Sequence, residues 1–267
     1  MTTGRRGALG VGRNGRPMVG AFVVMLVTAL HADAMAQRGR GGGPPGPPQS
    51  PRAAAPIDLT GYWVSIVNED WRWRMVTPPR GDYPGLPLNA AARKVADAWN
   101  PSQDGRCEAF GAAGVMRMPT RLHVTWEDDR TLKLETDAGQ QTRRLLFDIT
   151  PAPAGAPTRQ GHSVAEWERS GGRGGRGGAP AAPPNGTLKV VTTHMSPGWL
   201  RRNGVPYSAA ATMTEYFDRF AAPNGDEWLV VTSIVNDPTY LTGELVTSSH
   251  FRREADGAGW SPAPCQP

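Results

Sequence analysis

Four histidines lie beyond residue 36, namely His123, His162, His194 and His250, and each falls in a stretch with strand character. Neighbouring strands that bring two or three of them beside a carboxylate such as Glu215 make either a zinc site or an acid–base pair. Tyr207 is a further proton-carrying group. The candidate catalytic set is therefore His123, His194, His250, Glu215 and Tyr207. No pair has a ligand spacing such as His-x-His or His-Glu-x-x-His, so the pattern calls for no metal. Isolated strand histidines are also what hydrogen-bonded wall residues look like.

Glu215, Asp218 and Arg219 share one strand-like run. Glu215 and Arg219 are an even number of residues apart and face one side, with Asp218 on the other. A Glu–Arg pair inside a cavity makes a polar anchor, whereas the same pair facing water is worth little. Nine tryptophans stand at positions 63, 71, 73, 99, 126, 167, 199, 228 and 260. Most suit a core, but aromatics with one polar handle also suit an apolar ligand cavity. Trp71, Trp73 and Met75, with Arg219 as the anchor, are the expected ligand contacts. Gly-x-Ser-x-Gly, a phosphate-binding loop, a dinucleotide fingerprint and Cys-x-x-Cys are all missing, and Ser163 and Ser196 have no motif around them. Nucleophilic catalysis has no support, and no cofactor is implied.

The elements that must position these groups are mostly strands. Alternation is plain in Trp71-Arg72-Trp73-Arg74-Met75, and it recurs over 121–127, 131–136, 141–148, 162–168, 187–195, 211–220, 227–236 and 245–253. Turn signals separate the runs, among them Asp137-Ala138-Gly139 and Pro223-Asn224-Gly225-Asp226. Such spacing predicts consecutive antiparallel strands in a sandwich or barrel. One helix is expected over Ala90–Trp99, capped by Asn89 and stopped by Pro101.

Gly61-Tyr62-Trp63 at the first strand resembles the lipocalin signature, in which the Trp packs across the closed end of an eight-stranded barrel. The family's Arg over that Trp corresponds to Arg252 or Arg253. Over nearly the whole domain the chain also resembles a group of uncharacterised exported bacterial proteins. The resemblance rests on Asp70–Pro79, Gly161–Glu168, Thr214-Glu215-Tyr216-Phe217 and Asp237-Pro238-Thr239-Tyr240. It implies a lipocalin-like barrel and brings no established reaction. Relatives usually have a tight Gly-Asp turn where this chain carries a Gly-Arg insertion.

The N-terminal segment reads as export machinery. Arg5, Arg6, Arg13 and Arg16 precede an apolar run from Met18 to Leu30, and Ala34-Met35-Ala36 supplies small residues for cleavage after Ala36. The apolar run is shorter than the roughly 20 residues of a membrane span, so no span is expected after cleavage. Residues 37–56 are Gly, Pro, Arg, Gln and Ala with little to bury, and read as a disordered spacer. Residues 57–267 then form one domain, with 169–186 as a disordered loop insertion. Residues 1–36 hold four Arg and one Asp, net +3 of the formal +5, and the remaining +2 does not argue for nucleic acid. The Gly-Arg repeat has no interleaved aromatics, which also speaks against RNA. Two cysteines, Cys107 and Cys265, are expected to pair in an exported chain and to pin the Pro-rich tail.

The reading is an all-β, antiparallel, lipocalin-like (calycin) barrel with one short helix, periplasmic or secreted. Its expected role is to bind a small apolar or amphipathic molecule inside the barrel. The alternative is a cofactor-free lyase, isomerase or hydratase using interior His and carboxylate groups. A third is an interaction protein using the Gly-Arg and Pro-rich segments as adhesive surfaces.

Overall fold

The computed structural model describes residues 48–148, 151–169 and 186–267. Residues 1–36, expected to be a signal peptide, the expected spacer up to residue 47 and the Gly-Arg stretch over 170–185 lie outside the described residues.

The first strand, β1, is Gly61–Ser65. An excursion follows, carrying α1 (Trp71–Arg74), α2 (Ala90–Asp97), two 3₁₀ turns (Pro101–Gln103 and Cys107–Phe110) and α3 (Ala112–Val115). Then come β2 (Arg121–Trp126), β3 (Thr131–Thr136), β4 (Ala138–Gly139), β5 (Thr142–Leu146), β6 (His162–Arg169) and β7 (Gly186–Thr193). A second excursion holds β8 (Gly198–Arg201) and β9 (Val205–Tyr207), before β10 (Thr212–Ala221), β11 (Glu227–Asn236), β12 (Leu245–Glu254) and β13 (Ala263–Pro264).

Nine strands close a barrel in the order β1-β12-β11-β10-β7-β6-β5-β3-β2. Every neighbouring pair is antiparallel except β5 and β6, which run parallel through Leu145↔Ser163 and Leu146↔Val164. This corrects the expectation of a wholly antiparallel barrel. Parallel neighbours need a long crossover rather than a hairpin, and the proline-bearing stretch between Leu146 and His162 supplies it.

A second correction concerns Trp71-Arg72-Trp73-Arg74-Met75, which forms one helical turn and not a strand. Five alternating residues cannot separate a period of 2 from a single turn of period 3.6, and Pro78-Pro79 stops the turn soon after it starts. The expected helix is present as α2. Asn89 accepts from Ala92 N at 2.9 Å, and Ala92 and Ala96 face the core. The other helical turns, at most four residues each, were not foreseen.

The barrel interior is filled at one end by Trp63, Leu122, Leu134, Leu188, Phe217 and Phe251. Trp63 donates its indole N–H to Leu59 O at 3.0 Å, and the Arg253 guanidinium lies over its ring at 5.6 Å. Of the two arginines considered for that place, Arg253 takes it. Gly61 has φ +116, and a Cβ there would meet Arg253 at 3.3 Å, so a glycine is needed before the Trp. Pro51 O accepts from Trp167 Nε1 at 2.9 Å and Ala54 O from Arg169 at 2.8 Å. The end of the stretch read as a spacer is therefore tied to the barrel.

The other end is covered by the two excursions, whose Leu86, Ala92, Ala113, Leu200 and Tyr207 pack against Met213, Val235 and Leu245 of the barrel mouth. Cys107 and Cys265 are bonded, with Cα atoms 5.0 Å apart. The tail is further held by the parallel β13–β4 pairing and by Cys107 N→Gln266 O at 2.7 Å. Closing so long a loop contributes about 4–5 kcal/mol in the chain-entropy account.

Candidate functional site

Among the described residues, the expected catalytic groups do not meet. His123 faces outward from β2, stacks on Tyr62 at 4.2 Å and approaches Glu135 at 3.3 Å. His250 faces outward from β12 and contacts Glu69 at 2.8 Å. His194 sits in a left-handed turn, φ 57, with its ring against Gly155 O at 2.9 Å. No three His, Cys, Asp or Glu side chains gather to hold a metal among the described residues. The acid–base reading thereby loses its constellation, because even spacing along one strand says nothing about which strands become neighbours.

Glu215 does point inward and is fully buried, but its partner is Arg143 of β5 rather than Arg219. The pair is bidentate, with Arg143 Nη1 at 3.1 Å and Nη2 at 2.5 Å from the two carboxylate oxygens. Thr192 accepts a third bond from Arg143 at 3.3 Å and exchanges a hydroxyl bond of 2.8 Å with Ser163. Arg219 shares the face of Glu215 but sits toward the opposite end of the barrel, where it pairs with Glu227. Tyr207 is buried in the cap, its hydroxyl has no hydrogen-bond partner among the described residues, and burial pushes its pKa up to about 12. The barrel middle thus carries a buried polar layer between two apolar clusters.

Open space lies instead at the covered mouth. A cavity of about 420 Å³ is bounded by α1, the loop Pro84-Gly85-Leu86, α3 with the segment after it, the end of β8, and the β11–β12 corner. Its position follows from the chain just after β1. Ile66 N still donates to His250 O at 2.8 Å, but Asp70 then takes a left-handed conformation, φ 54 and ψ 22. Asp tolerates that region better than most residues, and it turns the chain into α1. One turn places Trp73 and Arg74 in the cavity wall and leaves Trp71 and Met75 outside, 63% and 52% exposed. Of the three expected contacts on this segment, only Trp73 lines the cavity.

Leu86, Ala113, Met118, Leu200, Val235 and Leu245 supply the apolar part of the lining. Arg74, Arg117, Arg201 and Arg202 supply the charge. Arg74 donates to Glu69 and, through Nε, to Arg117 O at 2.9 Å. Burial, with the Arg117 charge beside it, lowers its pKa to about 10. Arg117 pairs with Asp70 and donates to Ser248 O at 2.9 Å. Arg202 grips Asp104 through two bonds of 3.1 and 3.0 Å.

Arg201 differs from these three. It has no carboxylate within 4.0 Å among the described residues; it lies over the Trp73 ring at 5.0 Å and donates Nη2 to Pro84 O at 3.2 Å. Its Nη1 is buried without a partner, and burial lowers its pKa below the ordinary arginine value. Neither Arg201 nor Arg143 was foreseen. Arg143 was findable, since it shares the inward parity of Leu145. Arg201 lies in a stretch too short and irregular to carry a period.

No helix among the described residues is long and apolar enough to cross a membrane. No protein-family pattern, no curated protein and no solved structure matches this chain.

Proposed function

We propose that the protein is an exported, lipocalin-like barrel that binds a small amphipathic molecule in the cleft at its covered mouth rather than among the strands. The observation that carries this reading is the cavity of about 420 Å³ at the covered mouth, while Trp63, Phe217 and the Arg143–Glu215 pair are buried within the barrel. That volume falls in the range of about 300–1,000 Å³ usual for small-molecule sites, and an apolar lining with a few fixed polar groups is their usual composition. The Cys107–Cys265 bond supports export, because such bonds persist in oxidising compartments. So does the basic and apolar N-terminal pattern ending at Ala36. The likeness to lipocalins rests on Gly61, the buried Trp63 and the Arg253 above it.

The test is a tryptophan-fluorescence titration of protein recovered from the periplasm or medium, whose chain is expected to begin at Gln37. Amphipathic aryl and alkyl compounds should change the emission saturably, and Trp73→Ala should weaken that response at least tenfold. An unchanged response in Trp73→Ala, or none in the parent protein, would sink the cleft as the site.

A further inference from the structure

The cavity's charges do not balance. Four guanidinium groups line it, and three are matched by a carboxylate: Arg74 by Glu69, Arg117 by Asp70 and Arg202 by Asp104. Arg201 is the fourth. Asp70 and Asp82 lie near enough to raise its pKa slightly, yet burial outweighs them, and their contacts within 4.0 Å go to Arg117 and Arg72.

The unmet hydrogen-bonding groups of the lining are equally one-sided. The lining residues whose side chains hold buried, unpartnered polar atoms are Trp73 (Nε1), Arg74 (Nη2) and Arg201 (Nη1), among the described residues. All three atoms are donors, and none is an acceptor. A desolvated donor without a partner is costly, and a desolvated charge more so. Those three atoms are shielded from water, so what the cavity presents to a ligand is the half-buried Arg201 guanidinium, which lines it without a carboxylate and calls for an acceptor-only, negatively charged group.

From this we propose that the cavity selects a ligand with a monoanionic carboxylate head group, received by Arg201 as it lies on the Trp73 ring. The inference rests on the cleft being the binding site. One charge is left over, so one negative charge neutralises the site. A guanidinium edge matches a carboxylate with two parallel bonds, and the Trp73 face holds the guanidinium plane in place through a cation–π contact. The apolar lining takes the ligand's body. A neutral head group of the same shape would leave the Arg201 charge unmatched, and a cationic one would add a fifth positive charge.

Three probes with one body separate the possibilities: 4-phenylbutyrate, 4-phenylbutan-1-ol and 4-phenylbutylamine, titrated calorimetrically into the full exported chain. The acid should bind at least tenfold tighter than the alcohol, the amine weakest, with added salt weakening only the acid. In Arg201→Gln the advantage of acid over alcohol should fall below threefold while the alcohol's own affinity stays within twofold. Arg201→Lys should restore part of it, since charge returns without the fork. The three-probe comparison on the parent protein stands even if a variant fails to fold. Equal binding of acid and alcohol, or tighter binding of the amine, overturns the carboxylate assignment and leaves the cleft in place. No heat from any probe at millimolar concentration overturns both.

Discussion

Arg143 and Arg201 each hold a guanidinium nitrogen that is withdrawn from water and has no hydrogen-bond partner among the described residues, and their charges are treated differently. Arg143, in the barrel middle, meets the two oxygens of Glu215 and the hydroxyl of Thr192, all inside a closed wall. Arg201, at the covered mouth, has a ring beneath it, a backbone carbonyl beside it and a cavity in front. Burial of a charge is tolerable when a counter-charge is buried with it. Where the counter-charge is lacking, either the fold bears the cost or a ligand supplies the missing group. The first region therefore reads as architecture, and the second as a place left for something else.

The largest expected effect lies at the first. Glu215→Gln, which leaves Arg143 charged and unmatched, should destabilise the fold by about 3–5 kcal/mol in urea unfolding. The double change Arg143→Met with Glu215→Leu should cost much less, because no buried charge remains. If the single and double variants unfold alike, Arg143 is not the closed pair described, and the contrast with Arg201 fails.

Tyr207 probes the cap between the two regions. Its folded-state pKa of about 12 stands above the ordinary 10. The folded form thus holds its proton more tightly, and this contribution is present in full below pH 10. It is lost as pH rises toward 12, by about 2–3 kcal/mol. Arg74, lowered to about 10, acts in the opposite direction over the same window. The difference between parent and Tyr207→Phe isolates the tyrosine, and that difference should grow with pH in alkaline unfolding. At neutral pH, Tyr207→Phe should be neutral or stabilising by up to about 1 kcal/mol, since the hydroxyl it removes has no partner. A loss of more than that would mean the hydroxyl is bonded.

The smallest effect on stability is expected at Arg201 itself. Arg201→Gln gives up the Trp73 contact and one bond to Pro84 but removes a desolvated charge, so the two changes should offset to within about 1 kcal/mol. A loss as large as that of Glu215→Gln would make Arg201 a structural residue after all.

Much of the barrel is legible in the alternation. The runs at 131–136 and 227–236 appear as strands with those bounds, and the strands at β2, β6, β10 and β12 differ from expectation by a residue or so. Alternation works there because one face is buried over six or more residues. It fails at Trp71–Met75, where the run is short and the helical turn buries a different pair. It is silent on β8 and β9, which are short, and on the parallel pairing of β5 with β6, which depends on a crossover. The site was legible only in part. Trp73 was singled out for its type, but its neighbours Arg201, Arg117 and Leu86 come from separate excursions with no shared period.

The sequence by itself determined the strands, the α2 cap at Asn89, the place of Trp63 and the two cysteines that bond. Each depends on local spacing or on having one available partner. Tertiary structure alone decided which charges are matched. Glu215 was free, on parity, to meet any inward-facing cation. Barrel closure brought Arg143 to it from β5, left Arg219 at the far end with Glu227, and set Arg201 against Trp73 with no carboxylate. Pairing is a property of three-dimensional neighbours, and strand periodicity carries no information about them.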